Sequence, residues 1–363
     1  MGAGRGEMGA PVSKTYRPFD RKQLLLMPPS LDDWLPQDHL ARFLSDVVDE
    51  LDLSGIYESY EREGRGFPPY EPGMMTQVML YAYCVGVPSS RKIEKRMVED
   101  VAFRYLGAGN TPDFRTIAEF RRRHLEALEQ KAQVQAQQKR QERQKLEQEA
   151  QDQGRKVGGT PPEISDRPEP KAQRNFTDPE SGILKGADGY IQGYNCQAAV
   201  DAQAQVIVAC DVSASGADSV QMEPMLQKIQ ENVEALPKRL SADAGYFSED
   251  NVKVVTERGV DPHIAVGRDR HGKTGSGPPR GRIPDEATVK ERMKRKLQTK
   301  EGRGVYSRRK VIVEPVFGQI KNRGHRQFRL RGRSKVRAEW SLICTSHNLL
   351  KLFRALHGQW SLN

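Results

Sequence analysis

At 363 residues the chain is long enough for two domains of ordinary size. Its four cysteines, Cys84, Cys196, Cys210 and Cys344, show no paired metal spacing, which speaks against a zinc site and for reduced thiols. No run approaches the length of a membrane span and the Gly-rich N-terminus lacks the apolar core of a signal peptide, so the expectation is a soluble, cytoplasmic protein without membrane contact. The net charge of +10 is unevenly spread: between Arg268 and Glu339, 23 Lys and Arg stand against 7 Asp and Glu, leaving the rest of the chain negative. A segment so basic reads as a surface for a polyanion, and DNA phosphate is the expected partner. Such charge supplies affinity without sequence preference.

In chain order, residues 1–15 are Gly-rich and expected to be disordered. A turn through Leu31-Asp-Asp-Trp-Leu-Pro36 leads to Asp38, an expected N-cap, and then to a helix with Leu40, Phe43, Leu44, Val47, Val48 and Leu51 at helical spacing. Further helices are expected over Pro72 to Val85, Ser89 to Val98 and Val101 to Leu106. A basic helix with Ile117, Phe120 and Arg121 to Arg123 follows Pro112. Residues 16–128 therefore form an all-α N-terminal domain that could contact DNA. From Glu129 to Gln153 the composition turns to Gln, Glu, Lys and Arg, a solvated helix, and Gly154 to Ala172 is a Pro/Gly linker, so 129–174 separates the domains.

Beyond it the periodicity changes. Tyr190 to Val200 and Gln205 to Val212 read as two strands joined at Asp201-Ala-Gln-Ala204, and Asp218 to Val233 as an amphipathic helix. A short strand ending at Ser241-Ala-Asp-Ala-Gly-Tyr246, a helix begun at Ser248 and a strand at His263-Ile-Ala-Val266 complete an α/β pattern. Arg268 to Pro284 is a Gly-rich loop, Ala287 to Leu297 a basic helix, and Lys335 to Phe353 a last apolar one.

Two stretches carry the chemistry. Asp243 ends a strand, where α/β sheets place their sites. In Tyr306 to Lys321, helical steps put Tyr306, Lys310, Glu314 and Lys321 on one quarter of the surface, beside an apolar stripe of Ile312, Val313, Val316, Phe317 and Ile320. Pro315 leaves two alternatives: a helix kinked there, or one that begins there with Glu314 as a cap. Asp243 with Glu314 would give two carboxylates able to share a divalent metal.

Ala242-Asp-Ala-Gly-Tyr246, followed by Tyr306 and Val313-Glu-Pro-Val-Phe-Gly-Gln-Ile-Lys321, resembles the second and third catalytic blocks of bacterial insertion-sequence transposases of the DDE class. The similarity continues through Arg323-Gly-His-Arg-Gln-Phe-Arg-Leu-Arg-Gly332 and Glu339-Trp-Ser-Leu-Ile-Cys-Thr-Ser-His-Asn348, and reaches the N-terminal region. The resemblance implies a ribonuclease-H-like catalytic domain over 175–355, an incomplete mixed sheet with flanking helices. It also implies Mg²⁺ or Mn²⁺ held by Asp243 and Glu314, and phosphate contacts from Tyr306, Arg309, Lys310, Lys321, Arg323 and Arg326. Transposon ends and target DNA are the implied partners, and homo-oligomerisation is a further expectation. The family's Tyr-Arg-Glu-Lys spacing is met only in part, since Arg309 keeps its distance from Tyr306 and Lys310 its distance from Glu314.

The first acid of the family's triad, normally in an Asp-Gly-Thr-Lys-like block on the first strand, is absent. The helix of Arg121 to Leu128 passes directly into the Gln-rich segment, as if an internal stretch had been lost. Asp188, Asp201 and Asp211 are the available stand-ins. The loss implies an apolar gap in the sheet and a transposase that is a defective copy; the alternative is a catalytically silent DNA-binding or oligomerising remnant.

Overall fold

The computed structural model describes residues 30–61, 69–124, 177–186, 189–267, 281 and 283–357. The Gly-rich start, the Gln-rich segment, the Pro/Gly linker, Asp188 and most of the Arg268 to Pro284 loop lie outside them. The described residues between 30 and 124 are helical: a 3-10 turn Leu31–Trp34, α1 Leu40–Asp49, α2 Ser54–Glu61, α3 Pro72–Cys84, α4 Ser90–Glu99, α5 Val101–Leu106 and α6 over 114–124. The expected helices are present, and α2 is an addition. Asp38 is not the cap of α1. His39 N–H bonds back to Pro36 O and delays the helix by one residue, so His39 Nδ1 receives Ala41 N–H at 3.1 Å instead.

Helix α3 organises this half. Pro72 stands in its first turn, where no N–H is needed, and the Glu71 carboxylate receives the N–H groups of Gly73 and Met74. Apolar side chains surround it nearly all round, with Met75, Val78, Ala82 and Tyr83 almost fully buried. A helix without a polar face must be covered on every side. Helices α1 and α5 cover part of it, and α12 of the C-terminal half, Arg333–Leu356, covers the rest.

A single apolar core therefore crosses between the halves: Leu44, Met75, Phe103 and Ile117 share it with Val316, Ile320, Val336 and Trp340. At its centre Glu339, 1 % exposed, receives the backbone N–H groups of Arg329 at 2.8 Å and Leu330 at 2.9 Å and the Tyr83 hydroxyl at 3.2 Å. Arg121 donates to Tyr83 Oη at 3.4 Å, to Pro88 O at 2.7 Å and to Ser90 Oγ at 2.9 Å. Burial raises the Glu339 pKa, and the backbone donors oppose that rise. His325, also buried, reaches Tyr83 O at 3.0 Å and stacks on the Tyr83 ring. The motif Arg323 to Gly332 thus clasps the helical half.

The C-terminal half is mixed α/β, with three two-stranded sheets among the described residues. Strands β1 Gly182–Gly186 and β2 Gly189–Gly193 form one antiparallel pair, and β3 Asn195–Val200 and β4 Ile207–Ser213 a second. The strand expected from Tyr190 is thus two strands, broken at Tyr194, and β1 was not foreseen. The parallel pair is β5 Arg239–Ala242 with β6 Asp261–Ile264. Helices α7 Met222–Val233 and α8 Glu249–Glu257, then α9 Val289–Gln298, α10 Lys300–Ser307 and α11 Arg309–Asn322, pack around them. One face of β3–β4 meets α11 and α12, where Trp340 Nε1 donates to Gln197 O at 2.9 Å. The other meets Met225 and Ile229 of α7.

Removing the Glu339 carboxylate should leave two backbone donors and Tyr83 unsatisfied in the core. Glu339→Ala is expected to cost about 3–5 kcal/mol and Glu339→Gln about 1–3 kcal/mol, read from urea unfolding monitored by tryptophan fluorescence and circular dichroism. A loss below about 0.5 kcal/mol in Glu339→Ala would refute the role assigned to it.

Candidate active-site region

Asp243 follows the last residue of β5 in extended backbone and caps a 3-10 turn, Ala244–Tyr246, by accepting Gly245 N–H at 3.0 Å. The expected placement at a strand end is therefore met, and Asp243 remains half-buried. A second acid, which the sequence showed only as a helix start, stands beside it. Asp218 opens the 3-10 turn Asp218–Gln221, and its Oδ1 accepts from Asn195 Nδ2 at 2.6 Å and Gln197 Nε2 at 3.0 Å. Gly245 separates the two: a Cβ built there would stand 2.5 Å from Asp218 Oδ2 and 3.2 Å from Asp243 Oδ1. Glycine is what lets both carboxylates approach the turn. The Tyr246 phenol beside them has its pKa pushed up, by burial first and then by the charges of Asp218 and Asp243.

Tyr306 and Glu314 do not share one helix. The chain breaks at Arg308, leaving Tyr306 in α10 and Glu314 inside α11, so Glu314 is not a cap either. Pro315 sits within α11 and cannot bond the carbonyl four residues back, that of Val311. Gln205 supplies the missing donor, its Nε2 reaching Val311 O at 2.9 Å. Glu314, Lys310 and Lys321 are exposed on α11. Arg309 turns partly inward, its guanidinium 5.6 Å from the Tyr306 ring centroid, so these two residues are brought together across the break. Arg326 is exposed and donates to Lys321 O at 3.3 Å. Arg323 is turned into the protein: it bonds His347 Nδ1 at 2.8 Å, and its backbone carbonyl lies so close to Gly86 that a Cβ there would collide with it. Its side chain is a structural partner of α12.

The stand-in acids have other occupations. Asp201 receives the N–H groups of Gln203 and Ala204 and forms the β3–β4 turn. Asp211 is buried and paired with Lys228 at 3.0 Å and Arg337 at 2.8 Å. Between β3 and β5 lies a cavity of about 590 Å³, lined by the whole of both strands, by Asp218, Asp243 and Tyr246, by α7, and by Arg309, Val313 and Phe317 of α11. Asp243 and the helix of Glu314 thus border one space, although Glu314 itself is not in its lining.

Residues 166–349, just over half of the chain, match the family described as Transposase DDE domain, and residues 29–123 match Transposase domain (DUF772). The chain is a DDE transposase of the insertion-sequence type. No curated protein and no solved structure matches it significantly. The family implies a divalent metal, and carboxylate oxygens are the right hard donors. In this transposase, however, Asp218 and Asp243 each already accept protein hydrogen bonds, Glu314 is exposed, and among the described residues no three of His, Cys, Asp or Glu gather closely enough to hold an ion. The residues present do not fit a complete two-ion centre.

The Arg323 contact yields a pH prediction. His347 is fully buried, with Nε2 bonded to Gln205 O at 3.1 Å and Nδ1 facing the Arg323 guanidinium. Burial holds its pKa down to about 4, against 6.5 in an unfolded chain. Between these values the unfolded state binds more protons, so stability falls as pH is lowered from 6.5 towards 4. Urea unfolding over this range should show a shallower pH dependence in His347→Gln than in the unaltered chain; equal slopes would remove His347 as a contributor.

Proposed function

We propose that this transposase binds DNA through its basic C-terminal half and does not by itself complete the cleavage and strand-transfer reactions of its family. The observation that carries the reading is the cavity between β3 and β5, whose lining acids are Asp218 and Asp243 side by side and Asp201, which is engaged in the β3–β4 turn, where a ribonuclease-H-like sheet would have its central strand. The mixed α/β architecture of the C-terminal half and the family membership support a ribonuclease-H-like domain over 175–355, with an internal loss after Leu128 as the source of the gap. The helical 16–128 region is the part proposed to meet transposon ends, and 129–174 the connection between the two.

In this reading Asp243 and Glu314 stand at the positions where the resemblance implies Mg²⁺ or Mn²⁺ ligands, and among the described residues no third acid joins them to complete a centre. The exposed cations Lys310, Lys321 and Arg326, with Arg309 and Tyr306 at the head of α11, hold DNA phosphate. The charge of the Arg268 to Glu339 segment supports DNA as partner in a cytoplasmic setting, and among the described residues no helix is long and apolar enough to cross a membrane. Association with a further copy of the chain is compatible with this role.

Two measurements test the proposal. Binding to a duplex of mixed sequence should weaken steeply with salt, and Lys310→Ala, Lys321→Ala and Arg326→Ala should each reduce the log–log slope by about 1; a slope near zero would oppose a phosphate-binding role. A nicking assay on supercoiled DNA bearing candidate element ends, with Mg²⁺ or Mn²⁺, should yield no cleavage. Metal-dependent cleavage abolished in Asp243→Ala would overturn the proposal, and its loss in Asp218→Asn as well would name Asp218 as the replacement acid.

A further inference from the structure

The sheets of the C-terminal half are each only two strands wide among the described residues. β3 is paired with β4 alone and β5 with β6 alone, so each has one edge with no strand upon it. Both strands line the 590 Å³ cavity from end to end. Peptide groups at a sheet edge are strong donors and acceptors that need partners, and two such edges bordering one space form a template for a strand between them. Much of the remaining wall is apolar: Met222, Met225 and Ile229 come from α7, and Val313 and Phe317 from α11.

Two buried polar atoms support the same reading. Gln197, 2 % exposed and in the cavity lining, uses Nε2 on Asp218, while its Oε1 has no hydrogen-bond partner. Arg309 Nε, on the α11 wall, is likewise buried and without an acceptor. A buried acceptor and a buried donor left unpaired are each destabilising until a partner satisfies them. A peptide backbone passing between them offers an N–H and a C=O.

We propose that this cavity receives a β-strand from a second polypeptide: an extended segment of about six residues, apolar on both faces, pairing with β3 on one side and β5 on the other. β3 itself is six residues long, Asn195–Val200, and sets the length. The strand comes from another molecule because no stretch of this one matches it. Outside the described residues the longest apolar run is Leu24 to Met27, four residues followed by Pro28 and Pro29, which have no N–H for a ladder. Residues 125–176 are dominated by Gln, Glu, Lys and Arg. The inference does not depend on whether the transposase cleaves DNA.

The test uses the full chain and a fluorescein-labelled peptide, KVIVAVTK, with KVIPAVTK as the control that keeps the flanks but removes a central donor. Fluorescence anisotropy should show saturable binding of the first. Hydrogen exchange should slow by at least about tenfold at the amides of Asn195–Val200 and of Arg239–Ala242, and the proline peptide should cause neither change. Val313→Trp, which fills the cavity from α11 without altering either strand, should weaken binding by about tenfold or more. If circular dichroism shows that this variant does not fold, the comparison of the two peptides decides alone. Absence of binding, slowing confined to other segments, or equal effects of both peptides would overturn the proposal. Faster exchange at the two strands in full-length Leu24→Asp/Leu26→Asp, before any peptide is added, would show that the chain's own N-terminal run fills the cavity and would overturn the assignment to a second polypeptide.

Discussion

The buried carboxylate of Glu339 is the constraint on which the two halves of this transposase depend. It sits on α12, accepts the backbone donors of the Arg329–Leu330 turn, and takes a hydroxyl from Tyr83 on α3, which in turn receives Arg121 from α6. A carboxylate so deeply buried is tolerated only when several donors surround it. The donors here come from two distant parts of the chain, the Arg329–Leu330 turn and Tyr83 of α3. Satisfying Glu339 therefore brings α3, α6, the Arg323 to Gly332 motif and α12 to one point, and the apolar core of Met75, Phe103, Val316 and Trp340 closes around them. The helical half is held as part of the same packed body as the α/β half, not as a bead on a linker.

A second junction lies at Gln205, in the turn region between β3 and β4. Its side-chain amide satisfies the Val311 carbonyl that Pro315 leaves unbonded, its backbone carbonyl takes His347, and its Oε1 takes Lys351 at 3.0 Å. The residue adopts a positive φ of 55°, which a side chain other than glycine seldom does without compensation. Three hydrogen bonds to two helices provide that compensation. As a result α11 runs past Pro315 unbroken along its length, and Val313 and Phe317 are presented to the cavity beside Asp243. Among the described residues each sheet has two strands, and the cavity lies between two of these sheets, with apolar side chains of α7 and α11 around it.

Much of this was legible in the sequence because it rests on local rules. Helical spacing located α1, α3, α4, α5 and α12, the Ser248 cap located α8, and an acid at a strand end located Asp243. The Asp-Ala-Gly-Tyr and Val-Glu-Pro-Val-Phe-Gly blocks carried the family resemblance. Where local reading failed, a long-range contact had prevailed. Arg323 reads as one more basic residue, yet it faces His347 because α12 folds back over it. The Tyr306 to Lys321 stretch reads as a helix either kinked at Pro315 or begun there, yet the division falls at Arg308.

What the amino-acid sequence determined by itself was the membership of the chain in its family, the basic character of the Arg268 to Glu339 segment and the identity of most helices. These depend on residue type and spacing along the chain. Only the tertiary structure decided that Asp218 stands beside Asp243 across Gly245, that Asp201 and Asp211 are committed to a turn and to ion pairs, and that β3 and β5 border one apolar space. Each of these joins residues far apart in sequence. No periodicity or motif records such distances, because they are set by how the helices and strands pack and not by any one of them.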